Sequence, residues 1–205
     1  MSKVQVDTID TRSGTSTMQI GSTNTSTINI GVSGDTVNIP SGVTIANAGT
    51  ATGFGGDNTP AFSAYLAFNS TQNISDATLT KVNLNTEHFD TDSTFDTSTY
   101  RFTCPSGGAG KYLFSWQIYL YGANIASNIQ YANAVLYKNG SAYNGTDQDC
   151  RDNEQRTLVL GNSVLLDVAD ADYFELYGQL KVNSGTPSFY GGNRMTYLSA
   201  MRLIT

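Results

Sequence analysis

The stretch that decides the fold is YRFTCPSGGAGKYLFSWQIYLY, residues 100–121. After Lys111, large apolar or aromatic side chains occupy every second position: Tyr112, Phe114, Trp116, Ile118 and Leu120. A period of two is that of a β-strand, whose successive side chains point to opposite faces of a sheet. This set includes the only tryptophan of the chain, so we predict that it forms a main wall of the core.

The opposite face of the same strand is mixed, and it becomes aromatic towards its end. It presents Leu113, Tyr119 and Tyr121 beside Lys111, Ser115 and Gln117. A solvated face needs no such side chains, whereas a face that packs on another subunit does. Leu113, Tyr119 and Tyr121 are therefore the predicted subunit interface.

The composition favours an all-β protein and excludes two classes of partner. The 205 residues include 20 Gly, 12 Tyr and 9 Phe, and only 14% are charged, against about 25% in average proteins. A net charge of -6 leaves no basic patch for nucleic acid. No apolar run reaches the roughly 18 residues of a membrane span. The amino-terminal residues lack the apolar segment of a signal peptide, so we expect synthesis in a cytoplasm. That compartment favours free thiols at Cys104 and Cys150, with a disulfide as the alternative.

Residues 1–16 are polar, with a few β-branched positions. We interpret them as an attachment arm that a partner orders through Val4, Val6 and Ile9. The alternative is a frayed end.

Residues 17–46 carry a weak repeat: TMQIG at 17–21, TINIG at 27–31, TVNIP at 36–40 and VTI at 43–45. Each unit is a short strand pattern that cannot bury its own apolar face. Three chains wound about one axis would cover those faces, so we predict a trimeric β shaft. Its core would consist of Met18, Ile20, Ile28, Ile30, Val37, Ile39, Val43 and Ile45. A Ser/Thr-rich linker is the alternative. Residues 47–59 are Gly-rich and are interpreted as a neck.

Residues 60–205 read as short strands separated by turns, the pattern of a sandwich or jelly roll. Strands are predicted at 61–68, 78–84, 173–182 and 197–204, and the last of them is expected inside a sheet. Asn139-Gly140 predicts a tight hairpin, since both residues accept positive φ. The segment TLVLGNSVLLDV, 157–168, is interpreted as two short strands about a Gly-Asn turn.

Several of these segments resemble the heads of the gC1q and tumour-necrosis-factor superfamily. They are AFSAYLAFN at 61–69, FDTSTYRFTCP at 95–105 followed by Gly110, Tyr112 and Phe114, LLDVADADYFELY at 165–177, and SAMRLI at 199–204. The resemblance covers residues 60–205 in chain order and implies a ten-stranded jelly roll that forms a homotrimer. The turn between Pro105 and Gly110 is longer than in that family, and Ala200 and Met201 replace its final Gly-Phe pair.

Residues 1–58 resemble the amino-terminal parts of short fibre and appendage proteins of tailed bacteriophages. That resemblance implies a virion protein whose arm binds other virion proteins and whose head recognises a host cell-surface glycan or protein during adsorption. Two alternatives stay open: a decoration or connector protein of the phage head or neck, and a surface-glycan hydrolase.

Loops rich in Tyr, Asn and Gly suit adaptable contacts with such a ligand. The candidate host-binding residues are Tyr143, Asn144, Asp147, Phe189, Tyr190 and Arg194. The alternative is that Tyr143 and Tyr190 merely cap the core.

Catalytic and metal chemistry are weakly signalled. The single histidine, His88, is expected to be structural. Asp167, Asp170 and Asp172 could offer oxygen ligands to calcium, but they lack the glycine and terminal glutamate of an EF-hand loop. A glycosidase needs paired carboxylates across a groove, while the acids here lie in turns. We therefore expect neither an enzyme nor a cofactor.

Overall fold

The computed structural model describes residue 20, residues 23–24, residues 26–46 and residues 58–203. The chain divides into two units, residues 1–51 and residues 52–205, which we treat separately. Val4, Val6, Ile9 and Met18, which the sequence assigned to the arm and shaft, lie outside the described residues.

The described part of the first unit contains turns but no strand. One turn holds Ser33-Gly34, where the Asp35 amide donates to the Val32 carbonyl over 2.9 Å. A second turn lies at residues 41–42. The shaft residues that are described are all exposed in the single chain, at 46–69% of their surface: Ile20, Ile28, Ile30, Val37, Ile39, Val43 and Ile45. The trimeric shaft stays a prediction, because a single chain offers these side chains nothing to pack on.

The described part of the second unit contains thirteen strands. They are β1 Ala61–Tyr65, β2 Thr71–Asn73, β3 Thr80–Lys81, β4 Thr86–Asp90, β5 Phe95–Asp96, β6 Arg101–Thr103, β7 Gly110–Tyr121, β8 Ile129–Lys138, β9 Ser141–Asp149, β10 Thr157–Val168, β11 Tyr173–Val182, β12 Ser188–Tyr190 and β13 Tyr197–Arg202. The described residues include no helix, and so none long and apolar enough to cross a membrane. The all-β prediction is confirmed. The structure has more than the ten strands that the resemblance implied because it includes short strands of two or three residues.

The strands form two antiparallel sheets. Sheet I has the order β2-β12-β7-β13-β1-β4, and β10 pairs with the remaining edge of β7. Sheet II has the order β5-β6-β11-β8-β9, and β3 pairs with β11. Strands that are distant in the chain are neighbours in each sheet, as in a jelly roll. As predicted, β13 lies inside a sheet, between β7 and β1.

Strand β7 shows the predicted alternation. Residues at even positions from Tyr112 to Leu120 are buried, and those at odd positions from Leu113 to Tyr121 are half-buried. The buried side of β7 meets the inner side of sheet II. The ring of Phe114 packs at a tilt against that of Phe174 of β11 with 4.3 Å between ring centres, and the ring of Phe102 stacks on that of Phe62 with 4.9 Å between centres. These rings, with Trp116, make the centre of the core.

The interpretation of residues 157–168 as two strands about a turn is wrong. They form one continuous strand, β10, which pairs with β7 from Thr157↔Tyr121 to Val168↔Gly110. Gly161 sits in the ladder opposite Gln117, where an added Cβ would lie 2.5 Å from the Trp116 carbonyl oxygen. The glycine therefore permits close approach of two strands and does not reverse the chain.

The hairpin at Asn139-Gly140 is as predicted, with φ of 52° and 79° between β8 and β9. Cys104 and Cys150 are free and buried, and burial raises the pKa of both thiols.

Candidate functional site

An apolar row crosses the outward face of sheet I. Leu113 on β7 lies directly opposite Leu165 on β10 and Met201 on β13. Residues paired in this way have Cβ atoms about 4.5–5.5 Å apart, so their side chains form a continuous row. Leu165 is 64% exposed and Met201 is 39% exposed.

Phe89 of β4 lies at the far edge of the sheet, in the adjacent row with Ser63 and Ser199. It pairs with Ser63 of β1, is 46% exposed, and lines a hollow of about 260 Å³ together with Leu113 and Met201. We call Phe89, Leu113, Leu165 and Met201 the apolar patch. A contiguous exposed apolar patch on a folded domain is typical of an interaction surface.

Three tyrosines occupy the other end of this face. The ring of Tyr190 lies 5.5 Å from that of Tyr119, edge to face, and 6.3 Å from that of Tyr121. The Tyr190 hydroxyl donates to Asn69 Oδ1 over 3.0 Å. Leu113, Tyr119 and Tyr121, the predicted subunit interface, thus share one outward face. Tyr190 was predicted as a host contact together with Tyr143. It lies instead beside Tyr119 and Tyr121.

Phe189 is not available to a ligand. It alternates with Tyr190 on β12, is 0% exposed and belongs to the core. Because neighbouring residues of a strand point to opposite faces, an outward Tyr190 requires an inward Phe189. We withdraw Phe189 from the candidate ligand contacts.

Tyr143, Asn144 and Asp147 lie on β9, the edge strand of sheet II. Tyr143 is 49% exposed. The half-buried Asn144 accepts a 3.2 Å bond from Asn162, whereas the exposed Asp147 pairs with Asn133 of β8. Asn144 and Asp147 therefore point to different faces of the sheet, and the three residues do not converge on one site.

The three aspartates have separate structural roles, and Asp167 lies in strand β10 rather than in a turn. Asp167 pairs with Lys111 over 2.8 Å, and Asp170 accepts the Gly107 and Ala109 amides over 2.9 Å each. Those two backbone bonds lower the pKa of Asp170 and fix the long turn before β7. For Asp172, burial acts to raise the pKa, but hydrogen bonds led by that from Lys138 outweigh it, and the pKa is lowered. The described residues hold no group of three His, Cys, Asp or Glu side chains that could hold a metal ion.

The outward face of sheet II is organised around a buried carboxylate. Glu175, with a side chain 4% exposed, pairs with Lys81 at 2.6 Å and Arg101 at 2.8 Å. The Arg101 guanidinium lies 3.9 Å from the centre of the Tyr173 ring. Lys81, Arg101 and Glu175 are thus partnered with one another on this face.

The sequence did not identify Phe89, Leu165 or Met201 as surface residues. The alternation of β13 and β10 held the signal, because Met201 and Leu165 fall on the side opposite buried Ala200 and Leu166. What the sequence lacked was the strand order that brings them together beside Leu113.

Comparison with solved structures finds alignments of low sequence identity. The globular domain of zebrafish complement 1qA protein aligns with 16% identity and a TM-score of 0.49, over 71% of this chain and 98% of its own. Eiger TNF from S. frugiperda aligns with 12% identity and a TM-score of 0.47, over 70% and 91%. Murine APRIL aligns with 10% identity and a TM-score of 0.49, over 70% and 99%. No protein-family model and no curated protein matches the chain.

Proposed function

We propose that the chain is the subunit of a homotrimeric fibre or spike on the virion of a tailed bacteriophage. The arm at residues 1–16 attaches it to other virion proteins, and the head recognises a glycan or protein on the host surface. The role requires no cofactor and no catalytic residue.

The apolar patch is the observation that supports the association of several copies in this proposal. A lone head leaves Phe89, Leu165 and Met201 in water, and burying them against further copies would be favourable by about 25 cal/mol per Å² of apolar surface. The three tyrosines at the other end of the face add the aromatic contacts that interfaces favour.

The repeat in residues 17–46 gives independent support for the association of several chains in one oligomer. Isoleucine and valine side chains in residues 26–46 are exposed in the single chain and recur at repeat spacing. Neighbouring chains are the natural cover for such repeats. The fibre assignment itself rests on the resemblance of residues 1–58 to short phage fibre proteins.

Solution mass is the first test. We expect three times the 22.0 kDa of one chain, and a mass of one chain would exclude the trimer. Removing residues 17–46 should lower the stability of the trimer while the head stays folded.

Adsorption is the second test. Three heads on each fibre give avidity to weak single contacts, so excess purified head should compete with the phage for its host. Unchanged adsorption would exclude the receptor-binding role. Density for the chain on the phage head or neck of intact particles would then favour a decoration or connector protein.

A further inference from the structure

A second hollow, of about 200 Å³, opens in the middle of the outward face of sheet I. It shares two lining residues, Ser63 and Ser199, with the hollow of the apolar patch. On its other side, Tyr197 pairs with Gln117, two positions before Tyr119 on β7. A copy that covers both the apolar patch and the three tyrosines therefore covers this hollow as well. Its full lining is Ser63, Tyr65, His88, Arg194, Tyr197 and Ser199.

A β-bulge places His88 at this hollow. The pairing of β1 with β4 shifts between Ser63↔Phe89 and Ala64↔Glu87, which leaves His88 as the extra residue. Bulges redirect side chains in this way.

A tight turn holds Arg194, which the sequence predicted as a host contact. The Met195 amide donates to the Gly191 carbonyl over 2.9 Å, and Arg194 has φ of 63° within that turn. Its guanidinium carbon lies 5.2 Å from the centre of the Tyr65 ring. A tyrosine ring carries no net charge, so this contact leaves the cation without a counterion.

The hollow offers hydrogen-bond donors but no negative charge. Each lining side chain carries a donor, and none is acidic. Within the described residues, no carboxylate lies within ion-pair distance of Arg194. The proposed trimer removes this face from water, and a buried cation without an anion is strongly unfavourable. The interface is therefore incomplete unless a neighbouring copy supplies an acid.

We propose that in the trimer this hollow receives an acidic side chain from the β9–β10 edge of the neighbouring copy, and that Arg194 pairs with its carboxylate. A guanidinium presents two parallel N–H donors to a carboxylate, and the hydroxyls of Ser63 and Tyr197 can donate to the remaining lone pairs. The inference rests on the proposed homotrimer and names the charged contact that completes its interface. Arg194 then belongs to the contact between copies and not to the host-binding surface.

The symmetry of a ring selects the edge that supplies the acid. In a closed ring of three, each copy presents one surface to one neighbour and a different surface to the other. The hollow lies towards the β4 edge of sheet I, because Tyr65 and His88 belong to β1 and β4. The opposite side of the head is formed by β10 of sheet I and β9 of sheet II, which Asn162 joins to Asn144 over 3.2 Å. That side is the surface available to the next copy in the ring.

Two acids on the β9–β10 side are available for this contact. Asp147 lies on β9 and Asp152 in the turn that follows it. Within the described residues, neither side chain has an ion pair or a hydrogen bond. The other acids on that side, Asp149, Glu154 and Asp167, already have partners.

The test measures the mass of the full chain by light scattering over a range of concentrations, with circular dichroism to check that each variant is folded. Arg194→Gln should raise the dissociation constant of the trimer by about a thousandfold, because each contact contributes about tenfold and the trimer contains three. Lys181→Gln is the matched control, since it also removes one positive charge but from the outward side of β11 in sheet II. It should dissociate like the parent. Equal dissociation constants for the two variants would overturn the inference and leave the trimer intact.

A charge exchange identifies the partner. Arg194→Glu should give single chains, and adding Asp147→Arg or Asp152→Arg to the same chain should restore the trimer, because the pair is formed again with its charges reversed. An inorganic anion or a sugar acid in the hollow would not produce this restoration. Failure of both double variants to form trimers would overturn the assignment of the acid to this edge. A parent with the mass of one chain would overturn the proposed trimer and this contact with it.

Discussion

The outward faces of the two sheets differ in whether their side chains have partners within the chain. On sheet II, Glu175 is neutralised by Lys81 and Arg101, and the rings of Tyr137 and Tyr177 pack 4.3 Å apart. On sheet I, Leu165, Phe89 and Met201 are exposed, and Arg194 has no acid beside it. A face whose groups are partnered within the chain can remain in water at no further cost. The exposed apolar side chains of sheet I would gain from a partner, in keeping with the proposal that this face meets other copies.

The largest expected effect concerns the apolar patch itself. Met201→Asp places a charge in the middle of the row and should convert the trimer to single chains, because a buried unpaired carboxylate is strongly unfavourable. The measurement is solution mass by light scattering. Leu79→Asp is the control: Leu79 has the same 39% exposure but precedes β3 of sheet II. It should remain trimeric. Equal effects of the two substitutions would remove the distinction between the faces.

A substitution on the inner side of β7 should lower the free energy of unfolding of the head, whether or not it also affects assembly. Trp116 is 1% exposed, so Trp116→Ala should lower the free energy of unfolding by about 3–5 kcal/mol through lost burial and a cavity. Denaturant unfolding of the head measures this. Ser115→Ala, on the outward side of the same strand, should change the value by less than about 0.5 kcal/mol. A loss for Trp116→Ala near that of Ser115→Ala would contradict the assignment of the core.

A substitution at Glu175 of sheet II should cause a smaller loss of unfolding free energy, and that loss should depend on pH. Burial acts to raise the pKa of Glu175, but hydrogen bonds and charges from Lys81 and Arg101 outweigh it and lower the pKa. A lowered folded pKa means that the ionised group stabilises the fold at neutral pH and that this contribution is lost as pH falls through the folded pKa. Glu175→Gln should therefore cost about 1–3 kcal/mol at pH 7. Unfolding curves at several pH values should show the gap to the parent closing in acid. A gap that is constant with pH would show that the carboxylate does not act through its charge.

The smallest effect is expected at the tyrosine end of sheet I. Tyr190→Phe keeps the ring against Tyr119 and Tyr121 but removes the hydroxyl that bonds Asn69. An exposed hydrogen bond of this kind contributes about 0.5–1.5 kcal/mol, so thermal unfolding should shift slightly and the mass should not change. Loss of assembly in this variant would mean that the hydroxyl, and not the ring, contacts the neighbouring copy.

Periodicity predicted the long strands well because burial on one side imposes it. Strand β11 spans the predicted residues 173–182, and β7 has its predicted faces. Residues 157–168 were misread because a Gly-Asn pair is typical of a turn when only the neighbouring sequence is considered. The role of Gly161 depends instead on its cross-strand partner Gln117, 44 positions earlier in the chain. Phe189 was misplaced for a similar reason. A strand of three residues is too short for its alternation to show which side faces the core.

The candidate surfaces depended still more on strand order. Leu113 was identified from its own strand, but Phe89, Leu165 and Met201 become its neighbours only through the pairing of β4, β10 and β13. Spacing along the sequence does not encode such proximity.

The central position of β13 has a consequence for how the protein is made. Strand β1 pairs with residues 197–201 and β7 with residues 197–202 of β13, which follows the other strands among the described residues. On the ribosome they emerge long before that strand, so sheet I stays open at its middle while most of the head is already synthesised. An open sheet exposes unpaired strand edges that can join other chains. Newly made heads therefore depend on prompt insertion of β13, and crowded polysomes are where misassembly of this protein would begin.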